Sequence, residues 1–327
     1  MTNKIRTAVV GLNMGLAHAY SYYESEQSEL RWVVDLDKAK AREVGEELGC
    51  NYTTDFSEII DDIDAVSLCT PHHLHFPQAM QAIKAGKHVL IEKPLANSEA
   101  ECLELIEAAN AHKVQLMVAY ILRYVPSLIK LKEALDSGKY GRPINANCWI
   151  EGYLPPNPNS WLASKDKLGG GVLFSHGCHY VDLMLWFFGK PKCAVSLGTR
   201  VGTEWLEGEG TSQATILFEN GTLGHITCSW GMKHSARPNL FHIHTTEGLI
   251  AITSDLLKIK AVTDKGTEML HDAEPPANAS KSGNAIYEIE HFLSCIAEAR
   301  ESDTSGEKAM PSHRTIWAAY ATEGVQV

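Results

Sequence analysis

Short apolar runs alternate with helix-like stretches over the first 120 residues of the chain. The apolar runs have the length of β-strands, and they read IRTAVVGL, LRWVVDLD, AVSLCT, HVLIEK and QLMVAY. Strands and helices that alternate in this way are typical of βαβ units. The pattern therefore predicts an α/β N-terminal domain, a Rossmann fold with a doubly wound parallel sheet.

The pattern changes after Tyr120. A helix is predicted over VPSLIKLKEALDSG, and a Pro/Asn loop and a Gly-rich helix entry at 169–171 come before a series of strands. The strands alternate in polarity between turn signals, and they read AVSLGTRV, QATILFENG, TLGHITCSW, LFHIHTTEG and LIAIT. A final helix is predicted over 314–327. This half is predicted to be an α+β domain with an open, mostly antiparallel sheet.

The length and composition of the chain fit this division. A chain of 327 residues exceeds the usual size of one domain, which is ~150 residues. Hydrophobic residues make up 44% of the chain and charged residues 21%, as in ordinary globular proteins. We expect an NAD-binding domain over 1–121 and a domain for substrate binding and oligomerisation over 122–327.

The charge of the chain limits its partners. The formal net charge is -11, and no long block of like charges forms a tail, which argues against nucleic acid and anionic membranes as partners. No stretch has the ~18 uninterrupted apolar residues of a membrane helix, and the start MTNKIRTAVV lacks a signal-peptide pattern. The eight cysteines form no C-x-x-C pair, so we expect buried free thiols and a cytoplasmic location.

The first strand ends in a glycine-containing turn with the features of a phosphate-binding loop. The turn consists of Gly11, Leu12, Asn13, Met14 and Gly15, and a helix is predicted to begin just after it. Backbone amides at a helix N-terminus bind phosphate, and glycine lets the backbone approach a pyrophosphate closely. Asn13 replaces the middle glycine of the usual motif, so an ordinary strand-to-helix turn is the alternative.

An acidic residue ends the second strand. Asp35 lies 24 positions after Gly11, where a carboxylate receives the ribose hydroxyls of a dinucleotide. A carboxylate at this position repels the 2'-phosphate of NADP, so we predict NAD as the cofactor and NADP as the less suitable one. The alternative is that Asp35 only caps the helix predicted near Asp37.

Two further strand ends carry candidate functional residues. The segment TPHHLH follows one strand and Glu92-Lys93-Pro94 follows another, and the carboxyl ends of parallel strands line the ligand crevice of such sheets. We expect five of these residues to contact the cofactor: Thr70, Pro71, His75, Glu92 and Lys93.

Three segments together resemble the glucose-fructose oxidoreductase, inositol dehydrogenase and MocA family. They read AVSLCTPHHLHFPQAMQAIKAGKHVLIEKPLA, VAYILRY and GGGVLFSHGCHYVDLMLWFFG, and the resemblance covers nearly the whole chain. The resemblance implies that Lys93 is the active-site lysine and that His179 is the histidine of the third segment. Ser175 stands where many members of the family have an aspartate, four residues before that histidine.

The predicted reaction is hydride transfer between NAD and a secondary hydroxyl or carbonyl of a sugar, cyclitol or related polyol. His179 suits the proton transfer because the pKa of histidine lies near neutrality, and Lys93 can stabilise the developing alkoxide. Asp182 follows His179 by three positions and is expected to orient its ring. His176 is the rival base.

Further residues are candidates for contact with the substrate. The substrate-binding set is Lys93, Tyr120, Arg123, Trp161, His176 and His179. Tyr124 and Trp186 are expected in the core instead. We expect a homodimer or homotetramer in which the exposed face of the C-terminal sheet is covered by another subunit.

Three other functions remain open on the sequence. The cluster of His72, His73 and His75 suggests a metal-dependent hydrolase, but no H-E-x-x-H motif accompanies it, so we predict no metal. A non-catalytic NAD-binding regulator is opposed by the presence of both Lys93 and His179. An enzyme that uses NAD to assist glycoside cleavage is compatible with the same resemblance.

Overall fold

The chain forms two compact units in the computed structural model, which describes residues 4–235, 237–274 and 280–322. The first unit is made of the described residues of 1–121 and 278–310, and the second of those of 122–277 and 311–327. The predicted domain ranges differ from these units in residues 278–310. A helix in that segment packs against the first helix of the chain, so the segment belongs with the N-terminal unit.

The first unit contains a six-stranded sheet. Its elements up to residue 121 are β1 (Ile5–Val10), α1 (Gly15–Glu24), β2 (Ser28–Val34), α2 (Lys38–Leu48), β3 (Asn51–Thr53), β4 (Ala65–Leu68), α3 (His75–Lys84), β5 (His88–Ile91), α4 (Glu99–His112) and β6 (Leu116–Val118). All pairs are parallel, in the order β3-β2-β1-β4-β5-β6, which is that of a Rossmann fold. The predicted doubly wound sheet is confirmed.

The second unit is built on an eight-stranded sheet. Its elements, followed by the last two helices of the chain, are α5 (Pro126–Asp136), β7 (Pro143–Glu151), α6 (Lys165–Leu168), α7 (Cys178–Phe188), β8 (Pro191–Thr199), β9 (Thr211–Phe218), β10 (Leu223–Ser229), β11 (Asn239–Thr245), β12 (Gly248–Thr253), β13 (Lys258–Thr263), β14 (Gly266–Asp272), α8 (Ala285–Ala297) and α9 (Gly306–Ala321). The order is β14-β13-β12-β11-β7-β10-β9-β8, and β7 with β10 is the parallel pair in an otherwise antiparallel sheet. The predicted mostly antiparallel sheet is confirmed.

Burial alternates along the strands of the second sheet. In β7, Ala146, Cys148 and Ile150 are buried while the residues between them are partly exposed. A sheet that is packed on one face only gives this period of two. The buried face lies against α5 and α7.

The final helix starts earlier than the sequence pattern predicts. It begins at Gly306 and continues through Pro311, and residues 323–327 of the predicted helix lie outside the described residues. Proline in a helix interior is disfavoured because it lacks an amide hydrogen, and here the helix nevertheless includes Pro311.

A buried carboxyl group lies at the contact between α8 and α1. Glu288 is 0% exposed, and neither of its carboxyl oxygens has a hydrogen-bond partner in the described part of the chain. Burial raises the pKa of Glu288 well above its ordinary value, and the nearby charge of Glu92 adds to this. The folded protein therefore disfavours the carboxylate form of Glu288.

Glu288→Gln is expected to raise the melting temperature, by an amount that grows with pH. An acid whose pKa is raised on folding contributes its full stability below the pKa that it has in the unfolded chain. This contribution is lost as the pH rises from that value through the pKa of the group in the folded protein. The glutamine does not ionise, so the variant escapes this loss, and its gain in stability over wild type should increase as the pH rises. Calorimetric melting from about pH 5 to about pH 8 measures the difference. The exposed Glu104→Gln is the control, and parallel curves for wild type and Glu288→Gln would contradict the prediction.

Candidate active site

The glycine turn after β1 is shaped by a close backbone contact. Gly11 has a φ of +88°, and a Cβ on it would lie 2.5 Å from the carbonyl oxygen of Cys69, the residue after β4. Only glycine fits both the backbone angle and the contact. The turn is therefore fixed against the neighbouring strand of the sheet.

The residues after this turn fit a dinucleotide phosphate. The amide of Gly15 donates to the carbonyl of Gly11 at 3.2 Å, and α1 starts there without an acidic residue in its first turn. Asn13 and Met14 are exposed beside the helix start. A helix N-terminus with no acidic residue in its first turn, next to a glycine turn, suits the pyrophosphate of NAD.

Asp35 ties the glycine turn to the end of β2. One carboxylate oxygen accepts from the amide of Leu12 at 2.8 Å, and the other accepts from the amide of Asp37 at 2.9 Å. The N-cap of α2 is Asp37, whose side chain accepts from the amides of Ala39 and Lys40. Asp35 is therefore not the helix cap, and each of its oxygens keeps lone-pair capacity for a ribose hydroxyl.

The segment after β4 contains three residues that are predicted to contact the cofactor: Thr70, Pro71 and His75. Thr70 donates its hydroxyl to Gln78 at 2.6 Å, and both Thr70 and Pro71 are partly exposed. His75 is 0% exposed, with Nδ1 2.7 Å from the carbonyl oxygen of Pro94 and Nε2 2.9 Å from that of Thr70. The predicted contact of His75 with the cofactor is wrong for this structure, because the backbone encloses the whole ring.

The Glu92-Lys93-Pro94 segment follows β5. The amide of Lys93 donates to the Glu92 carboxylate at 3.2 Å, and a second oxygen of that carboxylate lies 3.5 Å from Nε2 of His18 in α1. Lys93 is partly exposed, and the Lys93-Pro94 peptide bond is cis. A partly exposed lysine at the carboxyl edge of a parallel sheet is placed where such folds bind ligands.

In the second unit, a glycine segment leads into a turn that lies directly before the helix of the candidate base, His179. Residues Leu173–Gly177 form a π-helical turn directly before α7. The hydroxyl of Tyr320 accepts from the amides of Gly171 and Phe174 at 3.2 and 3.1 Å, and it donates to Glu209 at 2.6 Å. Single π-helical turns are rare and occur frequently at functional sites.

The two candidate histidines lie on either side of the boundary between this π-helical turn and α7. His176 belongs to the π-helical turn and His179 to the first turn of α7, and both are partly exposed. The indole of Trp230 donates to Nδ1 of His176 at 3.3 Å. Because indole nitrogen is only a donor, this contact makes Nδ1 of His176 an acceptor and leaves the ring hydrogen on Nε2. Ser175 is buried.

Asp182 binds Arg123 and not the ring of His179. Its two oxygens accept from Nε and Nη2 of Arg123, each at 2.7 Å, and its side chain is almost completely buried. Burial raises the pKa of Asp182, while Arg123 opposes this shift. The guanidinium of Arg123 also lies over the ring of Trp186, at 5.6 Å. The predicted role of Asp182 as the group that orients His179 is therefore wrong, because its carboxylate is used by Arg123.

The four other aromatic residues singled out from the sequence differ in their exposure to solvent. Tyr120, just after β6, is buried, and Trp161 in a short 3₁₀ turn is partly exposed. Tyr124 is buried as expected, but Trp186 is partly exposed and stacks on Phe187 at 5.4 Å.

Neither a metal centre nor a membrane span is found in the part of the chain that the structure describes. Residues 4–235, 237–274 and 280–322 contain no group of three or more His, Cys, Asp or Glu side chains placed to hold a metal ion. The helices in those ranges are too short or too polar to cross a bilayer.

Several contacts of the candidate site have no signal in the local sequence. Tyr320 is 149 positions from Gly171, and Trp230 is 54 positions from His176. The Arg123–Asp182 pair spans 59 positions. Each joins separate elements, so no spacing rule within a helix or strand could have identified it.

Comparison with known proteins places the chain in a family. Residues 5–120 match the model of an oxidoreductase family with an NAD-binding Rossmann fold, and residues 128–251 match the GFO/IDH/MocA C-terminal domain. A 1,5-anhydro-D-fructose reductase of Ensifer adhaerens is 30% identical over 259 residues, which cover 78% of this chain and 75% of the relative. A levoglucosan dehydrogenase of Pseudarthrobacter phenanthrenivorans is 28% identical over 294 residues, covering 77% and 75%.

A solved structure shows the same fold over the full length. The complex of a levoglucosan dehydrogenase with NADH and levoglucosan superposes with a TM-score of 0.85, at 22% identity and with 98% of each chain covered. The resemblance inferred from the three sequence segments is confirmed. With its glycine turn, its Rossmann strand order and both family models matched, the chain belongs to the GFO/IDH/MocA family of NAD-binding oxidoreductases.

Proposed function

We propose that this protein is an NAD-dependent dehydrogenase that transfers a hydride between nicotinamide and a secondary hydroxyl or carbonyl of a sugar, cyclitol or related polyol. The observation that carries the proposal is Lys93, partly exposed at the carboxyl edge of a Rossmann sheet whose glycine turn fits a dinucleotide. Relatives named for an anhydrofructose and for levoglucosan support a carbohydrate substrate.

Lys93 and His179 have separate roles in the proposed reaction. The ammonium of Lys93 donates a hydrogen bond to the substrate oxygen and stabilises its negative charge as the hydroxyl proton leaves. His179 takes that proton from the oxygen. NAD, when bound at the glycine turn and Asp35, would supply the acceptor for the hydride that leaves the carbon, so that oxidation of the hydroxyl leaves a carbonyl compound and protonated His179.

The choice of His179 over His176 rests on the contact with Trp230. A general base needs a ring nitrogen with a lone pair directed at the substrate. In His176 the lone pair of Nδ1 already accepts from the indole of Trp230, and Nε2 carries the hydrogen. Protonation of His176 at Nδ1 would remove this hydrogen bond, so His176 is the poorer base.

His179→Ala is expected to lower kcat by about 100-fold or more while the Kd for NAD stays nearly unchanged, because a general base acts only in the chemical step. Lys93→Ala should cause a similar loss through the unstabilised alkoxide. His176→Ala should lower kcat much less. The measurement is NADH absorbance with one good substrate chosen from a screen of sugars and cyclitols. An inactive His176→Ala beside a nearly normal His179→Ala would assign the base to His176.

The amount of NADH formed separates this function from NAD-assisted glycoside cleavage. A dehydrogenase forms one NADH for each substrate oxidised, whereas assisted cleavage regenerates NAD in each cycle. Product formation without accumulation of NADH would therefore favour the second activity.

We also propose that NAD is preferred to NADP because of Asp35. Wild type should bind NAD at least about tenfold more tightly than NADP, since the carboxylate receives ribose hydroxyls and repels a 2'-phosphate. Asp35→Ser should narrow this ratio. Asp37→Asn, which changes the neighbouring helix cap, is the control and should leave the ratio unchanged. Calorimetric titration of both cofactors is the measurement, and equal affinities in wild type would remove Asp35 from the site.

Association through the exposed sheet face is the third part of the proposal. Leu197 is 74% exposed and Val195 is 49% exposed on β8, opposite Gln213 and Thr215 of β9. Val195 and Leu197 are two positions apart in one strand and so lie on the same face of the sheet, where their exposed apolar side chains offer a contact to a second copy. The cytoplasmic location predicted from the sequence is part of the same proposal, and it is supported by eight free cysteines.

Light scattering should give the mass of a dimer or tetramer at micromolar concentration. Leu197→Glu should lower that mass, because a charge buried between subunits is costly. Val201→Glu, a change at a residue that is 77% exposed beyond the end of β8, is the matched control. A monomeric wild type would contradict the proposal.

A further inference from the structure

We propose that His75 is a positioning residue for Lys93 and acts through the carbonyl group of Pro94. This inference rests on the proposed role of Lys93. His75 cannot touch substrate or cofactor, because its ring is 0% exposed, so any effect on the reaction passes through the backbone that it holds.

The contact between His75 and Pro94 assigns the hydrogen of the ring. Nδ1 lies 2.7 Å from the carbonyl oxygen of Pro94, and a carbonyl oxygen only accepts, so Nδ1 is the donor. Burial lowers the pKa of His75, while the carbonyls of Pro94 and Thr70 oppose the shift. Nε2 lies 2.9 Å from the carbonyl oxygen of Thr70, which also can only accept, and the shorter contact, at Nδ1, is the one that holds Pro94.

The position of His75 explains why this bond matters for Lys93. His75 is the first residue of α3, and α3 packs against β5, the strand that ends just before Glu92-Lys93-Pro94. Pro94 directly follows Lys93, so the held carbonyl is in the next peptide along the chain. The rigid helix thus fixes the backbone on the C-terminal side of Lys93.

The N-terminal side of Lys93 is held independently. The Glu92 carboxylate accepts from the amide of Lys93 at 3.2 Å and lies 3.5 Å from Nε2 of the buried His18. His18 in turn lies 3.2 Å from the hydroxyl of Ser67, which lies 2.9 Å from that of Tyr22. The backbone of Lys93 is therefore fixed on both sides while its side chain stays partly exposed, as a pre-organised catalytic group requires.

Asparagine and glutamine at position 75 test the proposal as a matched pair. The amide nitrogen of asparagine is two bonds beyond Cβ and replaces Nδ1, whereas that of glutamine is three bonds beyond Cβ and replaces Nε2. His75→Asn should keep the bond to Pro94 and retain kcat within about threefold. His75→Gln should lose it and lower kcat about tenfold or more, with the KM for NAD unchanged, because small displacements of a catalytic group are costly in the chemical step.

Two readouts do not depend on catalysis. Amide hydrogen exchange in the peptide that contains Glu92, Lys93 and Leu95 should be faster in His75→Gln than in wild type and unchanged in His75→Asn. Long-range ¹H–¹⁵N NMR of the histidine-labelled wild type should show a proton on Nδ1 of His75, assigned by the signal that His75→Asn removes. His112→Asn, a change at an exposed histidine in the last turn of α4, is the control and should alter none of these measurements.

The outcomes separate the inference from the proposed function. Loss of kcat and faster exchange in His75→Gln, with both retained in His75→Asn, supports the inference. Equal behaviour of the two variants, or a wild-type ring with its hydrogen on Nε2 alone, overturns it. If no sugar or cyclitol is turned over by wild type, the proposed function fails, and the exchange and NMR results still decide whether His75 holds this segment.

Discussion

The contact of the Gly11 backbone with the carbonyl of Cys69 is the constraint on which the N-terminal site depends. β1 and β4 pair in parallel with their carboxyl ends level, and the turn after β1 can pass Cys69 only as glycine, because a Cβ at Gly11 would lie 2.5 Å from that oxygen. Asp35 holds the same turn from the other side through the amide of Leu12. Next to Cys69, Thr70 contributes a carbonyl to the surroundings of His75, and His75 reaches Pro94. The ends of β1, β2, β4 and β5 are thus connected in one series of short contacts.

In the C-terminal unit, buried polar groups hold the segment that carries the histidines. Tyr320 and Glu209 bind the backbone where the π-helical turn begins, and the Arg123–Asp182 pair lies along α7. Buried polar groups are costly unless they are paired, so such pairs fix one arrangement of the chain. In this unit the buried polar side chains stabilise the turn, while His176 and His179 stay partly exposed beside it.

The family and the fold restrict the chemistry more than they restrict the substrate. A Rossmann unit with a glycine turn and an acid at the end of β2 is a site for NAD. The same fold accepts many substrates by changes in side chains, so the fold alone does not select one polyol over another. Many members of the family have an aspartate where this chain has the buried Ser175, and this replacement is one such change of side chain.

The sequence by itself determined the two folds, the phosphate turn and the family, because these follow from local periodicity and from short motifs. The alternation of strands and helices predicted the parallel sheet, and the alternation of apolar and polar residues within strands predicted the antiparallel sheet. The segment Glu92-Lys93-Pro94 identified Lys93 for the same reason, because this motif consists of adjacent residues.

The tertiary structure decided the partners of each polar side chain. His75 and Asp182 have residue types and spacings that suit a cofactor contact and a ring-orienting carboxylate, yet one is enclosed by two carbonyls and the other is bound to Arg123. Residues 278–310 likewise lie with the first unit, although they follow the second sheet in sequence. Pro94 lies 19 positions from His75 and Arg123 lies 59 positions from Asp182, and a residue pattern carries no information about which distant group will fill the space beside a side chain.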